Sequence, residues 1–245
     1  MLRVKNLKKY FGGVKAVDNC SFDVKKGSIT ALIGPNGAGK STIFNIICGI
    51  LKADSGKIIL DGKDITNLPT YKIANLGVSY LFQRTRLFNN LTVKENLLLA
   101  FDNEDTKFWK NLFGMNKITE EKEKKIKDML KIINMEKFED RLARELSYGQ
   151  KRLVELVRVI IKPHKLLMLD EPVAGVNPLL RKKIAELLLN LKKQGETILL
   201  IEHDINFVLG ISDKVIVLDE GKVIAEGEPK EIKNNPKVLE AYLGD

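Results

Sequence analysis

Short apolar runs alternate along the chain with stretches in which apolar residues recur every three or four positions. Ile29 to Ile33, Leu166 to Leu169, Thr197 to Ile201 and Val215 to Leu218 are near-continuous apolar runs, the pattern of parallel strands buried on both faces. Cys20 to Val24 and Lys57 to Leu60 read as further strands, the second ended by the turn dipeptide Asp61-Gly62. Helices lie between them. Leu153, Leu156, Val157, Ile160 and Ile161 share one face, and Pro163 ends that helix. Leu180, Ile184, Leu187, Leu188 and Leu191 share another, with Asn177 as N-cap and Pro178 in the first turn. From about Pro69 to Arg144 the strand pattern fades, Val78 to Phe82 apart. There Ile126, Met129, Leu130 and Ile133 form the apolar stripe of a lysine-rich helix expected to begin at Thr119. The pattern predicts an α/β fold in one domain: a core at about 1–83 and 164–245, with a helical subdomain inserted at about 84–163.

With 245 residues, 44% hydrophobic and 30% charged, the chain has the composition of a globular protein. Apolar stretches such as Ile198 to Ile201 fall far short of the ~20 residues that a membrane-spanning helix needs. Met1 to Lys5 lacks the apolar region of a signal peptide, so a cytoplasmic location is expected. Cys20 and Cys48 sit in apolar patterns without metal-ligand spacing and read as buried, reduced thiols. The net charge of +9 admits nucleic acid, an anionic membrane face or nucleotide as partner, and does not choose among them. Much of it is lysine mixed with glutamate, as in Glu120 to Lys131, the composition of a solvated helix face.

Gly34-Pro35-Asn36-Gly37-Ala38-Gly39-Lys40-Ser41 fits the phosphate-loop pattern, follows an apolar strand and opens a helix running from Thr42 through Ile47. Glycines there let backbone N–H groups turn toward phosphate oxygens, and the helix N-terminus adds partial positive charge. Lys40 is placed to reach the β- and γ-phosphates of ATP, and Ser41 to hold Mg²⁺. A second pair of groups comes after the run Leu166 to Leu169. Asp170 and Glu171 emerge at a strand's C-terminal end, where open α/β sheets bind ligands. Asp170 suits Mg²⁺, and Glu171 suits the general base for an attacking water. Ser147 reads as the N-cap of the helix whose apolar face begins at Leu153. With Gly149 beside it, it also makes a second anion site.

Leu146-Ser147-Tyr148-Gly149-Gln150 resembles the signature motif of ABC ATPases, commonly Leu-Ser-Gly-Gly-Gln. The resemblance covers nearly the whole chain. It implies a phosphate-loop core with a mainly parallel sheet, an antiparallel β portion and an inserted helical subdomain. It implies that Ser147, Gly149 and Gln150 close on the γ-phosphate of ATP held by a second ABC ATPase, in a head-to-tail homo- or heterodimer. It places an adenine-stacking aromatic at Phe11, 23 positions before Gly34 (34 − 11), with Tyr10 as the neighbouring alternative. Gln83 then matches the Q-loop glutamine that touches Mg²⁺ and links the site to membrane permease subunits. His203 matches the switch histidine on the γ-phosphate, and Ala174 to Asn177 the D-loop.

A subgroup is implied as well. Gln83 to Val93, the Phe108 to Phe113 stretch, the signature tyrosine, Ala-Gly-Val-Asn-Pro at 174–178 and the ending Asn234-Asn235-Pro236…Ala241-Tyr242-Leu243-Gly244 resemble ATPases of branched-chain amino-acid importers. Tyr148 replaces the first signature glycine and Asn177 the usual aspartate, both familiar in that subgroup. The implied assembly adds permeases and, indirectly, a substrate-binding protein, with the ATPase peripheral on the membrane's inner face. Leu87 and Phe88, two apolar residues in a polar stretch, read either as a contact for a permease or as part of the helical subdomain's own core. The rival readings are transport of other cargo, such as urea or an exported lipid, and an ABC protein acting on nucleic acid. The latter relatives usually carry long coiled coils or two cassettes. This chain has one phosphate loop and no long heptad array, so no nucleic-acid partner is expected.

Overall fold

A computed structural model of the chain describes residues 1–83, 86–101 and 120–243. Thr119, Arg84, Thr85, the Phe108 to Phe113 stretch and Gly244 lie outside the described residues. The chain divides into two compact units. One comprises Met1–Tyr80, Lys165–Pro172 and Leu188–Asp245, the other Leu81–His164 and Val173–Leu187.

The first unit opens with the hairpin β1 (Leu2–Phe11) and β2 (Val14–Val24), then β3 (Ile29–Ile33) and helix α1 (Lys40–Ile47). β4 (Ser55–Leu60) and β5 (Lys63–Asp64) meet through a two-residue turn, where Asp61 and Gly62 take φ of 47° and 79°. Positive φ at both positions is what a tight hairpin of this twist requires, and Asp-Gly supplies it. α2 (Thr70–Asn75) and β6 (Val78–Leu81) come next. The second unit carries α3 (Val93–Leu98), α4 (Glu120–Ile132) and α5 (Tyr148–Ile161), with short 3-10 turns at Glu136–Phe138 and Ala143–Glu145. The chain continues with β7 (Leu166–Asp170), α6 (Pro178–Lys193), β8 (Thr197–Ile201), α7 (Ile205–Ile211), β9 (Lys214–Asp219), β10 (Lys222–Gly227), α8 (Pro229–Lys233) and α9 (Pro236–Leu243).

Two sheets form. β2-β1-β4-β5 is antiparallel, and β10-β9-β3-β8-β7-β6 is parallel from β9 through β7, with β10 antiparallel to β9. Ile43, Phe44, Ile46 and Ile47 of α1 join one buried cluster with Leu2, Val4 and Phe22 of the antiparallel sheet and Met168, Leu199 and Ile216 of the parallel one. The parallel strands are buried at every position in β3, β7 and β8. That accounts for their unbroken apolar runs.

The parallel register sets where the strands stop. Leu32 pairs with Ile201 and Asp170 pairs with Ile201, so β3, β8 and β7 end side by side. The residues that leave each of these strands are therefore delivered to one edge of the sheet. In the second unit, Asn96 is fully buried. Its Nδ2 donates to the carbonyls of Phe88, Leu91 and Thr92 at 3.1, 3.3 and 2.9 Å, and its Oδ1 accepts the Phe88 N–H at 2.9 Å.

Candidate functional site

The loop from Gly34 to Gly39 leaves β3 and curls into α1. Its sharp turns use glycine where nothing else fits. A Cβ on Gly34 would lie 2.0 Å from the Leu218 carbonyl oxygen, and one on Gly39, at φ 96°, 2.2 Å from that of Ala16. Gly37, also at positive φ, faces open space, and Asn36 and Ser41 are exposed; Pro35 and Thr42 are half-buried and Ala38 is buried. The Gly221 N–H donates to Ala38 O at 3.2 Å, which ties the loop to the β9–β10 turn. Lys40 is buried to 6% exposure, and its ammonium donates to the Gly34 and Pro35 carbonyls, both at 2.7 Å. Burial pulls its pKa down, while the Glu171 and Asp170 carboxylates push it back up. A lysine held across its own loop in this way presents a positive charge already oriented.

Asp170, 2% exposed, ends β7, and the Tyr80 hydroxyl donates to its Oδ2 at 3.3 Å. Glu171 is next, at φ 52°, a left-handed value uncommon outside glycine. Its N–H donates to Ile201 O at 2.9 Å. Its Oε1 stands 3.0 Å from Nε2 of His203, which leaves the end of β8. The buried Glu202 accepts the His203 N–H at 3.2 Å. Phosphate loop, Asp170, Glu171 and His203 thus share one sheet edge. The structure brings them together as their strand-end positions suggest.

At the end of β1, Phe11 is 46% exposed with the Lys9 ammonium 5.3 Å from its ring centroid. Tyr10 is half-buried, and its hydroxyl donates to Asp18 at 2.8 Å. That hydrogen bond raises the Tyr10 pKa and lowers that of Asp18. Of the two aromatics left open by the sequence, Phe11 has the freer ring.

The second unit holds Gln83, which is exposed, and the signature segment. Ser147 caps α5 in a reciprocal box. Its hydroxyl accepts the Gln150 N–H at 3.3 Å, and Gln150 Oε1 accepts the Ser147 N–H at 2.9 Å. The Gln150 side chain is thereby turned back on the cap. A Cβ on Gly149 would lie 3.0 Å from Gly175 O, and the Tyr148 ring lies 3.3 Å from where a Cβ on Gly175 would stand. Signature and D-loop are therefore pressed together through two glycines. Asn177 Oδ1 accepts the Leu180 N–H at 3.0 Å, as expected of an N-cap.

Sequence reasoning misses Tyr80, Glu202, Arg152 and Glu155. Nothing in a strand's tyrosine or a helix's charged residues distinguishes these from ordinary positions.

Residues 17–174 match the family model for the ABC transporter, and residues 222–245 that for the branched-chain amino acid ATP-binding cassette transporter. The chain is 42% identical over 245 residues to a protein of Archaeoglobus fulgidus named as a probable branched-chain amino acid transport ATP-binding protein, LivG; the match covers 100% of this chain and 95% of that one. Its fold is similar to the ADP conformation of an ATP-binding cassette of an ABC transporter, with a TM-score of 0.82, 40% identity, and coverage of 100% and 99%. A dimeric bacterial ABC transporter cassette matches with a TM-score of 0.79 at 27% identity, covering 94% of this chain and 99% of that one. The chain belongs to the ABC transporter family of ATP-binding cassettes. As such it is a nucleotide-binding ATPase whose hydrolysis of ATP is coupled to transport.

Proposed function

We propose that the protein is the ATPase of an importer for branched-chain amino acids, working as a pair of cassettes beneath two membrane permeases. The observation that carries the ATPase chemistry is the 3.0 Å pairing of Glu171 with His203 at the sheet edge that also bears the phosphate loop. The cargo reading rests on the relatives' names and on the carboxy-terminal match at 222–245. Among the described residues no helix is long and apolar enough to cross a membrane.

In the proposed mechanism, loop N–H groups and Lys40 hold the β- and γ-phosphates of ATP. Water attacks the γ-phosphorus in line. The bond to the bridging oxygen breaks, ADP leaves, and the water's proton passes to Glu171. His203 orients Glu171 and the γ-phosphate. Ser147 and Gly149 of the partner cassette complete the anion cradle, and Phe11 stacks on adenine. Positioning and electrostatics supply most of the rate in such transfers.

The Ser41 hydroxyl and the Asp170 carboxylate are hard oxygen donors that suit Mg²⁺, with Gln83 as the third proposed contact. No cluster of three acidic, histidine or cysteine ligands exists among the described residues. A sparse set fits an ion held by one carboxylate plus substrate phosphates. When bound, Mg²⁺ neutralises charge on the phosphate oxygens.

The cargo is tested in the host organism. Deleting the gene should abolish uptake of radiolabelled leucine, isoleucine and valine while urea uptake persists. Unchanged leucine uptake together with lost urea uptake would reassign the cargo and leave the ATPase intact.

A further inference from the structure

Arg152, Glu155 and Arg158 stand three residues apart, so they line one face of α5. Arg152, 1% exposed, donates through Nη1 to the Phe82 carbonyl. The Glu155 carboxylate, 3% exposed, accepts the Arg86 N–H. Arg158 Nη1 donates to Arg86 O at 3.0 Å, and the Arg86 guanidinium lies 3.6 Å over the Phe82 ring. Within the helix, Glu155 faces Arg152 at 3.8 Å and Arg158 at 4.0 Å. Phe82 and Arg86, on either side of Gln83, are therefore both fastened to one helix, and that helix opens with Ser147 and Gly149.

Burying such charges is costly. Desolvation pushes the Glu155 carboxyl up and the Arg158 guanidinium down. An apolar patch of similar volume would be as stable or more so. What the ionic network adds is a defined geometry for the backbone at Phe82 and Arg86, which no sheet or helix holds.

We propose that Arg152 and Glu155 are positioning residues for Gln83. They lock Phe82 and Arg86 to α5, so that Gln83 and the signature serine move as one body. The inference rests on the assignment of Gln83 to the nucleotide site, and its test separates the two.

Steady-state ATPase kinetics and Tm are measured for Gln83→Ala, Glu155→Ala, Glu155→Gln and the Gln83→Ala/Glu155→Ala pair. Leu156→Ala, a buried apolar position on the same helix, reports a purely structural loss. Glu155→Ala should lower kcat on the order of ten- to a hundred-fold, with KM for ATP within about two-fold. Glu155→Gln keeps an acceptor for the Arg86 N–H and should recover most of that loss. The double variant should be no slower than Gln83→Ala alone, because Glu155 acts through Gln83. If Glu155→Ala does not fold, the same cycle is run with Arg158→Gln. Losses that multiply in the double variant overturn the inference, as does a Glu155→Ala that resembles Leu156→Ala, with lower Tm and normal kcat. A Gln83→Ala enzyme at wild-type rate removes the Gln83 assignment itself, and the inference with it.

Discussion

Glu171 holds a left-handed backbone angle uncommon outside glycine, and it does so one position beyond a fully buried strand. Such strain, of order 1–3 kcal/mol, persists only where the surroundings over-determine it. Here they do: its N–H is taken by Ile201 O and its carboxylate by His203. Glu171→Gln keeps the shape and removes the proposed base. Hydrolysis should fall by roughly 10²–10⁴-fold, with ATP still bound and an ATP-loaded dimer accumulating in gel filtration. Near-normal turnover would remove Glu171 from its role. In the proposed mechanism Lys40 acts earlier, on affinity. Its ammonium already bridges two loop carbonyls, so it meets phosphate with little reordering. Lys40→Ala should cost about 1.5–3 kcal/mol of nucleotide binding, roughly ten- to a hundred-fold. Titration with a fluorescent ATP analogue reads this directly, and an unchanged Kd would show that the loop holds no phosphate.

At the scale of elements, legibility in the sequence depends on burial. β3, β7 and β8, buried on both faces, announce themselves as apolar runs, and Thr197–Ile201 is found at the expected bounds. Exposed antiparallel strands are harder. β1 escapes a sequence reading because its alternation breaks: Leu2 and Val4 face the core, the register then shifts, and Leu7 takes the next core position past Asn6 at φ 49°. β2 extends beyond Cys20 to Val24, and its first half, Val14 to Asn19, gives no alternation to recognise, with Val17 alone fully buried there. β10, an edge strand with no fully buried residue, gives no run to recognise. The site's strand-end residues are legible because topology alone delivers them. Tyr80, Arg152 and Glu155 are not, because their roles depend on contacts across the fold.

The antiparallel sheet also carries a pH signature. Asp54 accepts from the Lys9 ammonium at 2.8 Å and from the Tyr10 N–H at 2.6 Å, and these bonds, Lys9 first, hold its pKa below the ordinary 3.8. A depressed carboxylate contributes stability that is present above its unfolded pKa and lost as pH falls through the folded one. The wild type should therefore lose Tm as pH drops below 3.8. Asp54→Asn should start lower at pH 7 and lose less over the same acid range. Parallel Tm curves for the two proteins would show that Asp54 is energetically idle.

At the scale of the whole molecule, the proposed role requires the cassette to pass its ATP-driven change to membrane permeases through some surface of its own. The described residues after Gln83 offer one candidate. Phe88 is 57% exposed, yet its backbone is not loose: the buried Asn96 holds both its N–H and its carbonyl. An exposed aromatic ring on a fixed backbone resembles the rigid anchors of protein interfaces, where large side chains lose little entropy on binding. Leu87, expected to share this role, is half-buried, so its replacement would mix local stability with partner contact. Phe88 alone gives the cleaner experiment. As a surface change, Phe88→Ala should alter stability by no more than about 0.5 kcal/mol, and the isolated protein should keep its Tm and its affinity for ATP. Co-expressed with the proposed permeases, the variant should fail to co-purify with them, and the proposed amino-acid uptake should fall with it. A variant that melts early and loses ATP binding would show that the ring serves the cassette's own fold. One that folds, binds ATP and still assembles at wild-type yield would move the permease contact to another surface of the helical unit.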